Sequence, residues 1–184
     1  MHLVNSVSFI RITLLILATL LLQSCSSVPL SSMVKLASFD ESDLVNIDPY
    51  VVRARLTLTE PAELETKNVK LALRFEYAGD NEQEYIFILK PVSVTEVTKK
   101  NWFSSDTLQN QYIFEIDEQS IQAFKSYQKE FLKYGKPSKY YWTVYYHIKN
   151  KIPKNKISHL DLELKLAKDD DYFFLLKDAD ITVN

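Results

Sequence analysis

From Tyr50 onward, apolar and polar residues alternate with a period of two, the repeat of a strand that buries one face. Val52, Ala54, Leu56 and Leu58 interleave with Arg53, Arg55, Thr57 and Thr59. Val69, Leu71, Leu73, Phe75 and Tyr77 interleave with Lys70, Ala72, Arg74 and Glu76. The turn residues Ala78-Gly79-Asp80-Asn81 then return the chain into a strand over Glu84–Val94, predicting a hairpin. Pro91 lacks an N–H, so its strand lies at an edge or stops pairing there. Gln111–Asp117 predicts a short strand, and Leu160, Leu162, Leu164 and Leu166 alternate with His159, Asp161, Glu163 and Lys165 in another. Lys168–Asp171 reads as a turn, after which Tyr172–Lys177 and Ile181–Val183 close the sheet.

The strand over Lys139–Lys149 is unusual because both of its faces are aromatic. Tyr140, Trp142, Val144, Tyr146 and Ile148 share one face, and Tyr141, Thr143, Tyr145 and His147 the other. That predicts a central strand covered on two sides. The functional alternative is an exposed tyrosine platform, Tyr141 and Tyr145, for a glycan ring or a lipid.

Two segments carry helical spacing instead. Ile121, Phe124, Tyr127, Phe131 and Tyr134 recur three and four residues apart behind Asp117, a capping residue. Gly135 and Pro137 end that helix. Ser38 and Glu41 form a capping-box pattern before a brief helix with Leu44, Val45 and Ile47, stopped by Asp48-Pro49. Lys99–Asn110 is expected to be a loop that folds Trp102 and Phe103 onto the core, and Asn150–Ile157 a lysine-bearing, solvated connection. The sum is a mainly β fold: an antiparallel β-sandwich of about seven strands with one amphipathic helix. The alternative is an α+β arrangement, a curved sheet wrapped around the helix.

The N-terminus follows a different rule. Met1–Arg11 carries one basic side chain and no acid, and Ile12–Leu22 is uncharged and nearly all aliphatic. That run is far shorter than the ~20 residues a spanning helix needs. A basic start and a short apolar core have the form of a cleaved export signal. It ends in Leu22-Gln23-Ser24-Cys25, which resembles the lipobox of bacterial lipoproteins. The resemblance implies cleavage between Ser24 and Cys25 and a diacylglycerol on the Cys25 sulfur, with the new amine acylated. Two or more acyl chains hold stably where one binds reversibly. It therefore implies a signal over residues 1–24, a lipidated cysteine and tether over 25–37, with Ser26–Ser32 extended around Pro29, and one domain over 38–184. Ser26 and Ser27 occupy positions where lipoproteins kept in the inner membrane often carry Asp, so the implied address is the outer membrane of a Gram-negative envelope, facing the periplasm. Ser38-Phe39-Asp40 and Asp48-Pro49 are also similar to a stretch in a family of uncharacterised proteobacterial lipoproteins, which implies no activity.

Composition narrows the chemistry. A formal charge of −2 without a basic cluster argues against nucleic acid. Cys25 is the one cysteine, so its lipidation leaves no thiol for a disulfide, a nucleophile or a metal. With two glycines, Gly79 and Gly135, the chain lacks phosphate-cradling loops and a Gly-x-Ser-x-Gly elbow. His2 leaves with the signal; His147 and His159 fall on strands expected to pair, which sets His147 opposite His159 or Asp161 as a surface pair. Asp169-Asp170-Asp171 and Asp178-x-Asp180 lack the glycine and terminal Glu of a calcium loop, and no metal or cofactor is assigned.

The functional expectation is a lipid-anchored, non-enzymatic module that binds a protein of the envelope. Its alternative is a carrier or sensor of an apolar ligand such as a lipid, with a cavity lined by Tyr141, Tyr145 and helix residues. The oligomeric state is left open.

Overall fold

The computed structural model describes residues 28–39, 41–78, 81–102, 105–131, 133 and 137–181. The segment expected to be an export signal, the Leu22–Cys25 motif, Phe103, Tyr134 and Gly135 lie outside the described residues. In chain order the elements are α1 (Leu30–Ser38), α2 (Glu41–Asn46), β1 (Arg53–Thr59), β2 (Leu64–Tyr77), β3 (Asn81–Lys99), β4 (Thr107–Ile116), α3 (Glu118–Phe131), β5 (Lys139–Ile148), β6 (Ser158–Lys165) and β7 (Phe173–Ile181).

The protein is mainly β, with seven antiparallel strands and an amphipathic helix, as its alternation predicts. The strands form one sheet in the order β5-β2-β3-β4-β1-β6-β7, so the curved-sheet form of the expectation describes the molecule. The inner face collects one alternation from each strand. Leu56, Leu71, Leu73, Phe75, Phe87, Phe114 and Leu164 are all buried there. On that face α3 lays its apolar stripe against β2 and β3: Phe75 stacks with Tyr127 at 5.5 Å, and Phe87 meets Phe124 at 4.7 Å. Each such aromatic pair adds about 0.5–1.5 kcal/mol beyond area burial.

Local chemistry sets where elements begin. The Asp117 carboxylate accepts the Ser120 N–H at 2.6 Å, the expected N-cap of α3. Ile88 marks where β3 leaves β2. Its N–H donates to the Ser120 hydroxyl (2.8 Å), and its carbonyl accepts the Asp117 N–H (3.0 Å), so the start of α3 satisfies both groups. Beyond that point β3 pairs with β4 alone, which is where Pro91 sits, beside a bulge between Pro91 and Ser93. The side-chain amide of Gln128 donates to the carbonyls of Val45 and Ile47 (2.6 and 2.7 Å), tying α3 to the end of α2.

Five expectations are corrected. β5 is an edge strand with β2 as its partner, and its aromatic outer face is largely open. β5 and β6 do not pair: His147 faces Glu65 on β2, while His159 faces Asp180 on β7, with Nδ1 and Oδ1 3.0 Å apart. Matching alternation says that two strands share a core, not that they are neighbours. Trp102 is 94% exposed at the β3–β4 tip, because those strands continue to Lys99 and from Thr107 and carry the tip away from the core. Finally, Leu30–Ser32, expected to be extended, opens α1, and Ser38 ends that helix with its hydroxyl on the Lys35 carbonyl (2.7 Å) rather than capping α2.

Candidate functional site

The two ends of the sheet, β5 and β7, are not hydrogen-bonded to each other, yet side chains from both line one groove of about 710 Å³. The sheet therefore curls until its edges nearly meet and leaves a slot where an eighth strand would close a barrel. One wall is β5, with Tyr140, Trp142, Val144 and Tyr146 on its inner side and Lys139, Tyr141 and Thr143 around its free edge. The other wall is Leu162 of β6 with Leu175 and Leu176 of β7.

Helix α1 straps the slot. The Tyr140 hydroxyl meets the carbonyl oxygens of Leu36, which also accepts the capping Phe39 N–H (3.3 Å), and of Phe39 (3.2 Å) at the end of α1. From the same helix, Lys35 reaches Asp170 in the β6–β7 turn at 2.8 Å and lies over the Phe173 ring at 5.1 Å. Val28 and Leu36 add apolar surface to the groove. The helix thus touches both sheet edges.

The groove is apolar inside and polar at its rim. The Arg74 guanidinium lies 4.6 Å from the Tyr141 ring and 3.5 Å from Glu82. Lys139 pairs with Glu76 at 3.1 Å. Hydrogen bonds from Lys139 and then Tyr141 hold the Glu76 carboxyl below its ordinary range, and the same Glu76 bond raises Lys139. Burial raises Tyr140 and Tyr146 above the ordinary phenol value, so both are neutral donors at physiological pH. The indole N–H of Trp142 is buried and has no hydrogen-bond partner among the described residues. A polar group on a ligand would relieve that cost.

Of the residues singled out in the sequence, Tyr141 stands at the rim of the groove. Tyr145 sits on the open outer face, 44% exposed, with its hydroxyl 3.4 Å from Glu84. The helix that contributes is α1 and not the aromatic α3. Leu175 and Leu176 were missed; two adjacent apolar residues in a strand break strict alternation, and that was the available signal. Among the described residues there is no group of three or more His, Cys, Asp or Glu side chains that could hold a metal. No described helix is long and apolar enough to cross a membrane. No protein-family model, no curated protein and no solved structure matches the chain.

Proposed function

We propose that the protein is a lipid-anchored, non-enzymatic component of the cell envelope that carries or senses an apolar, chain-like ligand in the slot between β5 and β7. The observation behind this reading is the slot itself: about 710 Å³ of leucine- and aromatic-lined space beside the buried core cluster. Ligand sites have this size and this balance of apolar walls with a few polar groups. Arg74, Lys139 and Tyr141 at the rim suit a polar head, and the buried Trp142 N–H offers one internal donor. The Cys25 anchor keeps the domain beside a source of such molecules.

Native mass spectrometry of the full chain, released from detergent micelles, tests the reading. One discrete adduct of lipid size is expected, and it should be absent from Leu176→Trp, which fills the half-buried β7 wall. A folded parent protein without an adduct, or an adduct that survives the filling substitution, counts against it.

A second reading, an interaction module for an envelope protein, draws on the β3–β4 arm. There Val92 and Val94 are 53% and 56% exposed, Trp102 projects from the tip, and β3 beyond Leu89 pairs only with β4. A free edge with apolar side chains accepts an added strand. Cross-linking from the tip in intact cells, compared between the parent and Val94→Lys, separates this reading from the first.

A further inference from the structure

Helix α1 is amphipathic in the inverse sense. Its buried residue is Ser32, at 1% exposure, whereas Leu30, Met33 and Val34 are 80%, 45% and 69% exposed. With Ala37 these occupy positions i, i+3, i+4 and i+7, one continuous outward stripe. The opposite side of the same helix, through Leu36, lines the groove, and Lys35 and the Leu36 carbonyl bind it to the sheet edges. A helix that seats Ser32, Lys35 and Leu36 on its own domain and still turns a continuous apolar stripe outward is built for a second apolar phase.

We propose that this stripe lies in the interfacial layer of the bilayer that holds the anchor, so that the slot opens at the lipid surface. The inference rests on the Cys25 anchor and on the ligand reading above. The chain supplies the argument for the bilayer as occupant. Leu30 follows Cys25 by five steps, which span at most about 18 Å even when fully extended. An acylated Cys25 therefore keeps α1 within reach of the headgroups, whichever way the domain turns. Lying flat buries the stripe, as interfacial helices do. Because the helix covering the slot is also the helix on the lipid, an apolar chain passes between bilayer and groove without crossing water.

The test uses the full, acylated chain reconstituted in vesicles of phosphatidylethanolamine and phosphatidylglycerol, with and without acyl-brominated phosphatidylcholine. Met33→Cys supplies a single free thiol for an environment-sensitive fluorophore, since the other cysteine carries the lipid. Glu96→Cys, on the exposed far part of β3, serves as the comparison. The expected result is a blue-shifted label at position 33 that brominated lipid quenches severalfold, with position 96 unaffected. Flotation with the vesicles while position 33 stays as wet as position 96 overturns the docking and leaves the anchor standing. Failure to float overturns the anchor and this proposal with it. A blue shift that brominated lipid does not quench assigns the stripe to a second copy or another protein, and overturns the proposal too.

Discussion

Lys35 and Asp170, 135 residues apart in the chain, sit 2.8 Å from each other and join the N-terminal helix to the last turn of the sheet. Together with Tyr140, whose hydroxyl meets the Leu36 and Phe39 carbonyls in the same last turn of α1, they hold a strap across the slot between β5 and β7. Both links are partly solvated, so the strap is loosely held by design of its bonds. The ion pair is worth about 0–1 kcal/mol and the hydroxyl bond about 0.5–1.5 kcal/mol. Lys35→Ala with Tyr140→Phe should leave the melting temperature nearly unchanged and raise amide exchange over residues 30–38. Unchanged exchange there would mean that α1 is held by its packing instead.

The outer face of β1 has its own fixed point. Arg55 grips Glu163 with two bonds of 2.5 and 2.6 Å while its guanidinium lies 3.9 Å from the Tyr172 ring. The Glu163 bond raises the Arg55 pKa further, and Glu163 is 5% exposed. Arg55→Met strands that carboxylate and should cost about 3 kcal/mol, at the lower end for a buried pair because Arg55 itself is partly wet. Arg55→Met with Glu163→Leu should recover most of the loss. Urea denaturation of the three proteins checks this, and equal loss in single and double variants would refute it.

Tyr127 is fully buried among Phe75, Tyr85, Phe124 and Phe131. Desolvation first, then the nearby Tyr77 and Tyr85, push its pKa far above the ordinary 10.0. The folded state therefore favours the protonated phenol. That contribution is complete below pH ~10 and is lost as pH rises past the unfolded value toward the folded one. Tyr127→Phe should flatten the fall in stability above pH ~10 while costing at most about 1 kcal/mol at neutral pH, since its hydroxyl only reaches the Leu44 carbonyl at 3.5 Å. Chemical denaturation at a series of alkaline pH values reads this out.

The two tryptophans report on different places, one in the slot and one at the tip of the β3–β4 arm. In Trp102→Phe the remaining emission comes from Trp142. A dansyl-labelled fatty acid should quench it by energy transfer, saturably, and an unlabelled fatty acid should reverse the effect. Trp142→Phe should show little saturable transfer. Equal transfer from both variants would place the probe on the surface rather than in the groove.

What the sequence determined by itself is local. The period-two alternation in β1, β2 and β6 states which side chains face inward, because successive Cβ atoms must point to opposite sides. The spacing of Phe124, Tyr127 and Phe131 states that α3 has one buried stripe, and the Asp117 carboxylate marks its start. These are nearest-neighbour properties of the backbone. The order of strands is not, since every strand offers the same N–H and C=O groups to any other. Tertiary structure alone therefore decided that β5 pairs with β2 and not β6, which left Tyr140 and Trp142 facing a slot instead of a covered core. It decided as well that Leu30, Met33 and Val34 turn outward. Only the contacts of Lys35 and Leu36 with distant residues fix how a nine-residue helix rotates about its axis.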